Sequence, residues 1–192
     1  MALFKDYALE ATDPTNVAGT RTPVYLDTLP PVDRLSDAEY SRYQARKVQA
    51  CHDVYVDVDG ALLLVQRDNH PAKGELWPLG GAITKDIDTD VSLTKVVKRE
   101  SGLDLVRESI QFLRVGRPRF RTESQWSSPE HYHGRGTDAI GLIFYAKGEG
   151  EVKLDNLHMR PTFVRRTDYT PEFRNGLHQY VQDGMDLAIK HV

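Results

Sequence analysis

Residues 77–103 read WPLGGAITKDIDTDVSLTKVVKRESGL, and this stretch decides the fold. Its pattern predicts a strand, a glycine turn, a loop and then a helix over about 90–101. Gly80-Gly81 carries no Cβ atoms, so the backbone there can come close to another group. Gly102 follows the helix, and a glycine in that position commonly ends one.

The predicted helix has one unusual position on its apolar face. Leu93, Val96 and Val97 lie at i, i+3 and i+4 and form an apolar stripe. Glu100 lies one further repeat along the same stripe. A carboxylate that faces a core is costly unless it is paired, hydrogen-bonded or bound to a metal. Glu100 is therefore either a functional carboxylate or a residue at the edge of the stripe that reaches water or an arginine.

The composition predicts one globular domain of the cytoplasm. The chain has 192 residues, of which 40% are hydrophobic and 28% charged, and its net charge of −3 offers no basic field to a nucleic acid. The longest apolar run, 61–65, is too short to span a membrane, and the N-terminus lacks a secretory apolar segment. Cys51, the single cysteine, excludes an internal disulfide and is more often a small core residue than a nucleophile.

Alternating and helical patterns predict a mixture of strands and helices over 35–192, preceded by an N-terminal arm over 1–34. Ser36 and Glu39 form a capping box that predicts a helix to about residue 46. The segment 52–58 alternates, and a turn joins it to the predicted strand 61–67. Further strands are predicted over 110–115, 138–146 and 161–165, and a final helix from Thr170 or Pro171 with a stripe of Phe173, Leu177, Tyr180, Val181 and Ala188.

The segment 116–136 is a long connection, and such connections are often functional. It carries arginines that could contact phosphate but are more often solvated, and two histidines that could hold a transition metal but more often lie at the surface. These residues are Arg117, Arg119, Arg121, Arg135, His131 and His133.

From Gly81 onward, the chain matches the length of the Nudix signature. That signature is a glycine, five residues, a glutamate, seven residues, Arg-Glu, an apolar residue, any residue, Glu-Glu, any residue, a glycine and an apolar residue. Glu100 stands at its last glutamate, and Gly102-Leu103 closes it. The other glutamate positions carry Ile87, Val96 and Arg99.

The flanking residues strengthen this similarity. The segment 66–77, QRDNHPAKGELW, resembles the corresponding segment of the GDP-mannose mannosyl hydrolase branch of the Nudix family, and 35–40 and 136–138 extend the match. The chain thus resembles a Nudix protein with a degenerate box. The resemblance covers about 35–165 and implies an α/β (α+β) fold with a mixed β-sheet sandwiched between helices.

The resemblance implies a site for Mg²⁺ or Mn²⁺. Its ligands would be the Glu100 carboxylate and the Gly80 backbone carbonyl, both oxygen donors of the kind that Mg²⁺ prefers. A third ligand of that branch is a glutamine, and this chain has Leu157 there, which cannot ligate. Asp86 and Asp88 flank a lost glutamate and could assist, or they are a solvated loop residue and a helix cap.

The resemblance also implies residues for substrate and chemistry. Arg67 matches an arginine that contacts the diphosphate, whereas Ala82 replaces a second arginine. His158, in the predicted loop before the strand 161–165, matches the general base, a role that suits a side chain that titrates near neutral pH. Asp53 matches an aspartate that recognises the sugar. Without the resemblance, each would be read as an ordinary surface residue.

Three functions follow as expectations. The first is metal-dependent hydrolysis of a nucleoside-diphosphate sugar, in which water attacks the sugar carbon. The second is a Nudix-fold module that binds a nucleotide or metabolite without turnover, because several polar box positions have become apolar. The third is an interaction role for the arm and the arginine-rich segment. The resemblance also implies a small-molecule substrate and, as one assembly, a homodimer.

Overall fold

The computed structural model describes residues 36, 39, 42, 43, 46–85, 87–120 and 136–192. These residues form an eight-stranded sheet, three helices with described bounds and a short 3₁₀ turn at Arg107–Ser109, and Glu39, Arg42 and Tyr43 are also helical. The elements are β1 (Gln49–Val58), β2 (Ala61–Arg67), β3 (Leu76–Trp77), β4 (Leu79–Ala82), α1 (Thr89–Ser101), β5 (Asp104–Leu105), β6 (Gln111–Gly116), β7 (Ala139–Glu149), β8 (His158–Val164), α2 (Pro171–Asn175) and α3 (Gln179–Ala188).

The sheet is mixed, as the sequence predicted. The main path runs β3-β2-β1-β7-β5, and β4, β6 and β8 pair with β1, β7 and β2 respectively. β1 pairs in parallel with β7 and antiparallel with β2 and β4. The parallel pair needs a crossover, and the chain between β1 and β7 supplies one that contains α1.

A two-residue turn closes the β1–β2 hairpin at the predicted position. Val58 pairs with Ala61, and Asp59 and Gly60 both have positive φ, at 52° and 78°. Two positive φ values identify the type I′ turn, whose twist matches that of paired strands. The Gly60 N–H donates to Asp57 Oδ1 at 2.8 Å, which holds the turn.

The sheet separates two cores because successive strand residues point to opposite faces. On one face, α1 packs Leu93 and Val97 against Val54 and Leu79. On the other, α3 covers the second core, which includes Tyr55, Leu62, Leu64, Trp77, Ile143, Tyr180, Val181 and Met185. β1 is thus buried on both faces, and the sandwich between helices is confirmed.

The helix α1 begins and ends within one residue of its predicted bounds. Gly102 adopts the left-handed conformation at φ 74°, and its N–H donates to the Lys98 carbonyl. Glu100 is only 4% exposed, so it does belong to the buried stripe. At the start of the described chain, the predicted capping box is present: the Ser36 N–H donates to Glu39 Oε2 at 2.9 Å.

Two predictions of local structure were wrong. His158 is the first residue of β8 rather than part of a loop, because it pairs with Arg67 across the β2–β8 ladder. The final helix is two helices, α2 and α3. Gly176 disfavours a continuous helix, and His178 begins α3 as an N-cap whose ring accepts a hydrogen bond from the Tyr180 N–H.

Several predictions lie outside the described residues: the arm 1–34, Asp86, Arg121, His131, His133 and Arg135. No helix in the described part of the chain is long and apolar enough to cross a membrane.

Candidate functional site

Glu100 is the centre of the candidate site. Its Oε2 accepts a hydrogen bond from the Gly80 N–H at 3.0 Å, and its Oε1 accepts one from Arg99 Nη2 at 2.8 Å. Burial raises the pKa of Glu100, and His158, the Gly80 N–H and Arg99 act in the opposite direction. The carboxylate is therefore buried but supported on both oxygens.

The β1–β4 ladder explains why Gly80 reaches Glu100. The Ile83 N–H donates to the Ala50 carbonyl at 3.0 Å. Antiparallel pairs alternate between hydrogen-bonded and non-bonded, so the Gly80–Asp53 pair is a non-bonded one. The Gly80 N–H and C=O therefore point away from β1, which leaves the N–H available to the Glu100 carboxylate.

His158 lies against Glu100 and is oriented by a second carboxylate. Its Nδ1 lies 2.7 Å from Asp155 Oδ1, and its Nε2 lies 4.0 Å from Glu100 Oε2. An ionised carboxylate only accepts, so Nδ1 carries the donated proton and Nε2 of a neutral ring has a free lone pair. A histidine held by a carboxylate in this way is the usual arrangement of a general base.

The loop that carries Asp155 is fixed to the end of α1. The Asp155 N–H donates to the Glu100 carbonyl at 3.1 Å, and the Lys153 N–H donates to the Ser101 carbonyl at 2.7 Å. Both bonds satisfy carbonyls that a helix terminus otherwise leaves without partners. Asp155 also accepts from the Leu157 N–H at 2.9 Å. Sequence reasoning missed Asp155; its signal was an Asp-Asn turn three residues before His158.

Arg67 is brought to the same place by its pairing with His158. Its Nε donates to the Pro71 carbonyl at 2.8 Å, which fixes the plane of the guanidinium. Burial lowers the pKa of Arg67, and the nearby Asp53 and Glu100 carboxylates raise it. The structure thus brings together Arg67, His158, Glu100 and Gly80.

Asp53 lies on the opposite face of the sheet and is buried rather than solvent-exposed. Its Oδ2 accepts a short hydrogen bond from the Tyr180 hydroxyl. Burial raises the pKa of Asp53 to about 6, while the Tyr180 hydrogen bond and the Arg67 charge act to lower it. A Cβ on Gly80 would overlap this carboxylate and the His52 carbonyl oxygen, so Asp53 requires glycine there.

Two further glycines make room for Tyr180. Gly116 and Gly141 are cross-strand partners in β6 and β7, and a Cβ on either would overlap the Tyr180 side chain. The Tyr180 ring therefore fits a notch between the strands, where its hydroxyl donates a hydrogen bond to Asp53. Sequence reasoning assigned Tyr180 only to an apolar stripe, because the contact joins residues 127 positions apart.

The donors around Glu100 do not fit a resident Mg²⁺ ion. Mg²⁺ demands near-octahedral oxygen geometry, and the predicted set offers one carboxylate, whose two oxygens also accept hydrogen bonds, and one backbone carbonyl. Val96 is 4% exposed in the core, and Leu157 offers no ligating atom. Among the described residues, no group of three or more His, Cys, Asp and Glu side chains is arranged to hold a metal.

The remaining predicted candidates lie apart from this cluster or carry no suitable chemistry. Arg117 forms a two-pronged ion pair with Asp138, at 3.2 and 2.9 Å, and Arg119 also approaches that carboxylate. Asp88 precedes α1 without a side-chain capping bond. Burial raises the pKa of the Cys51 thiol to about 12, which removes its nucleophilic form near neutral pH.

No protein-family model matches the chain. One curated relative is the low-salt glycan biosynthesis protein Agl8 of Haloferax volcanii, which is 28% identical over 159 residues that cover 81% of this chain and 92% of the relative. This likeness spans nearly the whole of both chains.

Solved structures share the fold. A MutT Nudix hydrolase from Burkholderia pseudomallei superposes with a TM-score of 0.55 at 16% identity, over 74% of this chain and 98% of that one. A bifunctional NMN adenylyltransferase/ADP ribose pyrophosphatase from Francisella tularensis, complexed with AMP and a manganese ion, gives 0.56 at 16% identity, over 78% and 43%. The predicted Nudix fold is confirmed, whereas the similarity to the mannosyl hydrolase branch stays a prediction.

Proposed function

We propose that this protein hydrolyses a nucleoside-diphosphate sugar or a related nucleoside-diphosphate derivative, with water attacking the sugar carbon. The observation that carries the proposal is the His158–Asp155 pair set against Glu100 and beside Arg67. A sugar-bearing substrate is consistent with the glycan biosynthesis in the name of the Haloferax relative. Nudix hydrolases with the same fold support a hydrolase in general.

His158 is the proposed base. A water about 2.8 Å from both His158 Nε2 and Glu100 Oε2 fits their 4.0 Å separation with an angle of about 90° at its oxygen. His158 takes the proton as the water oxygen bonds to the sugar carbon. Asp155 keeps the ring in the required tautomer and stabilises the imidazolium that forms.

Arg67 is the proposed contact for the leaving diphosphate. The bond between the sugar carbon and the diphosphate oxygen breaks, and its electron pair stays on that oxygen. A guanidinium can bind phosphate oxygens with two parallel hydrogen bonds, so it stabilises the charge that develops there. The predicted role of Asp53 in binding the sugar is not part of this proposal, because Asp53 is buried on the opposite face of the sheet and hydrogen-bonded to Tyr180.

The sequence predicts Mg²⁺ or Mn²⁺. Because the side chains around Glu100 do not hold an ion by themselves, such an ion would have to arrive bound to the phosphates of the substrate. Such an ion would supply charge neutralisation at the diphosphate. The roles proposed for His158, Asp155 and Arg67 do not depend on it.

Phosphorus NMR of the wild-type protein with a panel of nucleoside-diphosphate sugars, with and without Mg²⁺, tests the proposal. We expect a nucleoside diphosphate as product, and ¹⁸O from labelled water in the free sugar. His158→Asn should abolish this signal, while His191→Asn, a histidine stacked on Tyr145, should retain it. A nucleoside monophosphate with a sugar phosphate would place the attack at phosphorus and overturn the base assignment.

The second candidate is a module that binds a nucleotide or metabolite without turnover. It is favoured by Ile87, Val96 and Leu157, which supply no polar side chain at three positions where the resembled enzymes have one. Binding of a nucleoside diphosphate by a folded protein that turns over no member of the panel would support it. A homodimer and a role for residues 1–34 in assembly remain predictions, which light scattering on the chain with and without that segment would test.

A further inference from the structure

Two arginine side chains act on the Glu100 carboxylate. Arg99 Nη2 lies 2.8 Å from Oε1, and the charge of Arg67 acts on the same carboxylate. His158, which can also take a proton, lies 4.0 Å from Oε2. A site that binds a divalent cation usually offers several carboxylates, whereas here Glu100 is flanked by two guanidinium groups and the nearby Asp155 carboxylate is bonded to His158.

Arg99 joins the buried carboxylate to solvent. Its side chain is 63% exposed, whereas that of Glu100 is 5% exposed. A guanidinium has several N–H donors in a planar fork. One of these donors contacts Glu100, and the exposed part of the guanidinium leaves others available to a second anion.

The position of Arg99 makes this arrangement informative. In the signature that the chain resembles, the residue before Glu100 is a glutamate, so this chain has replaced a negative charge by a positive one. The same signature loses its other acids at Ile87 and Val96. The lost carboxylates and the gained guanidinium change the site in the same electrostatic direction, from attracting a cation to attracting an anion.

We propose that Arg99 and Arg67 together bind the diphosphate group of the ligand without a divalent metal ion. The proposal deepens the function proposed above and rests on it for the identity of the ligand. Arg67, the last residue of β2, is held by the Pro71 carbonyl, and Arg99 is held by Glu100 near the end of α1, so the two guanidinium groups belong to different elements and both act on the charge of the Glu100 carboxylate. Oriented arginines cost little further ordering when phosphate binds.

Calorimetric titration of inorganic pyrophosphate, and separately of GDP, into the metal-stripped protein in EDTA tests this proposal. We expect the wild-type protein to bind both, and Arg99→Gln to bind at least about tenfold more weakly, the loss expected for one charge-assisted contact. Lys98→Gln is the matched control: it removes one positive charge from the adjacent helix position, where Lys98 pairs with Asp104 instead. Its affinity should stay within about twofold of wild type.

A second variant tests the same idea in the opposite direction. Arg99→Glu restores a carboxylate beside Glu100, so it should lose pyrophosphate binding in EDTA and gain binding of Mn²⁺, measured by electron paramagnetic resonance without any substrate. Because Arg99 supports the buried Glu100 carboxylate, its replacement should lower the midpoint of thermal unfolding, and a cooperative transition shows that each variant is folded. Binding of pyrophosphate by the wild type only when Mg²⁺ is present, or equal affinities of wild type and Arg99→Gln, would overturn the proposal.

These outcomes are separable from the failure of the proposed function. If binding is independent of metal and depends on Arg99 but the protein turns over no substrate, the arginine site is supported and the proposed hydrolase function is contradicted. If the protein turns over substrate but binds pyrophosphate only with Mg²⁺, the hydrolase function is supported and the proposed arginine site is contradicted.

Discussion

Asp53 and Glu100 are two buried carboxylates on opposite faces of one sheet, and the glycine pair of β4 lies between them. Because neighbouring strand residues point to opposite faces, Gly80 faces Asp53 and Gly81 faces Glu100. A Cβ on Gly80 would overlap backbone and carboxylate atoms, whereas a Cβ on Gly81 would lie 4.0 Å from Glu100 Oε1. The first face is closely packed, and the second leaves room above the strand.

The two carboxylates also differ in their partners. Asp53 has a neutral hydrogen-bond partner, the Tyr180 hydroxyl, although burial is the largest influence on the pKa of both carboxyl groups. Glu100 has a backbone N–H, a guanidinium and an imidazole around it. The comparison teaches that burial alone does not define a role. On one face Asp53 is held in a fixed orientation, and on the other Glu100 lies beside groups that can bind an anion or transfer a proton.

The largest expected effect is on the rate of turnover, which we assign to the Glu100 face. His158→Asn removes the proposed base from the Glu100 face, so turnover should fall by about 10² to 10⁴-fold. Asparagine keeps a donor for Asp155, so stability in urea should fall by only about 1 to 2 kcal/mol. Steady-state kinetics and urea unfolding on the same preparation measure both. A variant that kept its turnover would remove catalysis from the Glu100 face.

The next effect compares the two glycines directly. Gly80→Ala should destabilise the protein by about 3 kcal/mol or more, because its Cβ would meet the immobile His52 carbonyl. Gly81→Ala is the matched control and should cost less than about 1 kcal/mol, since its Cβ meets only an ordinary contact. Urea unfolding of both variants measures the difference. Equal losses would mean that the two faces of β4 are packed alike.

The third prediction uses the titration of Asp53. Its pKa is raised from 3.8 to about 6 in the folded protein, so the folded state binds this proton more tightly than the unfolded state. The stabilising contribution is therefore complete below about pH 4 and is lost as the pH rises through about 6. Relative to Asp53→Asn, which does not titrate, the wild type should lose about 2 to 3 kcal/mol across this interval. Parallel stability curves against pH would contradict the assignment.

The smallest expected effect tests the hydrogen bond that the Tyr180 hydroxyl donates to Asp53. Tyr180→Phe should lower stability by about 1 kcal/mol, the net contribution of one hydrogen bond. It should also move the Asp53 transition to higher pH, because this hydrogen bond lowers the pKa of the carboxyl. Tyr145→Phe is the control, since Tyr145 donates a similar bond to Asp57 at 2.8 Å. Tyr145→Phe should lower stability by a similar amount and leave the pH at which Asp53 titrates unchanged.

The sequence alone determined the local features of this protein. The spacing from Gly81 to Leu103, the helix that ends at Gly102 and the turn at Asp59-Gly60 each depend on residues close together in the chain. Helical phase placed Glu100 on the apolar stripe but left open whether it reaches water, and the structure shows that it is buried. The resemblance to the Nudix family then fixed the fold class, because it supplied a long-range arrangement that periodicity does not encode.

Only the tertiary structure decided which side chains meet. Tyr180 reaches Asp53 across 127 positions, through a notch formed by two glycines on different strands. The Asp155–His158 pair could be suspected from spacing, but its contact with Glu100 depends on how β8 pairs with β2. Local patterns record the periodicity and turn preferences of neighbouring residues. The partners of a buried charge depend instead on strand register and helix packing, which are set by contacts between distant parts of the chain.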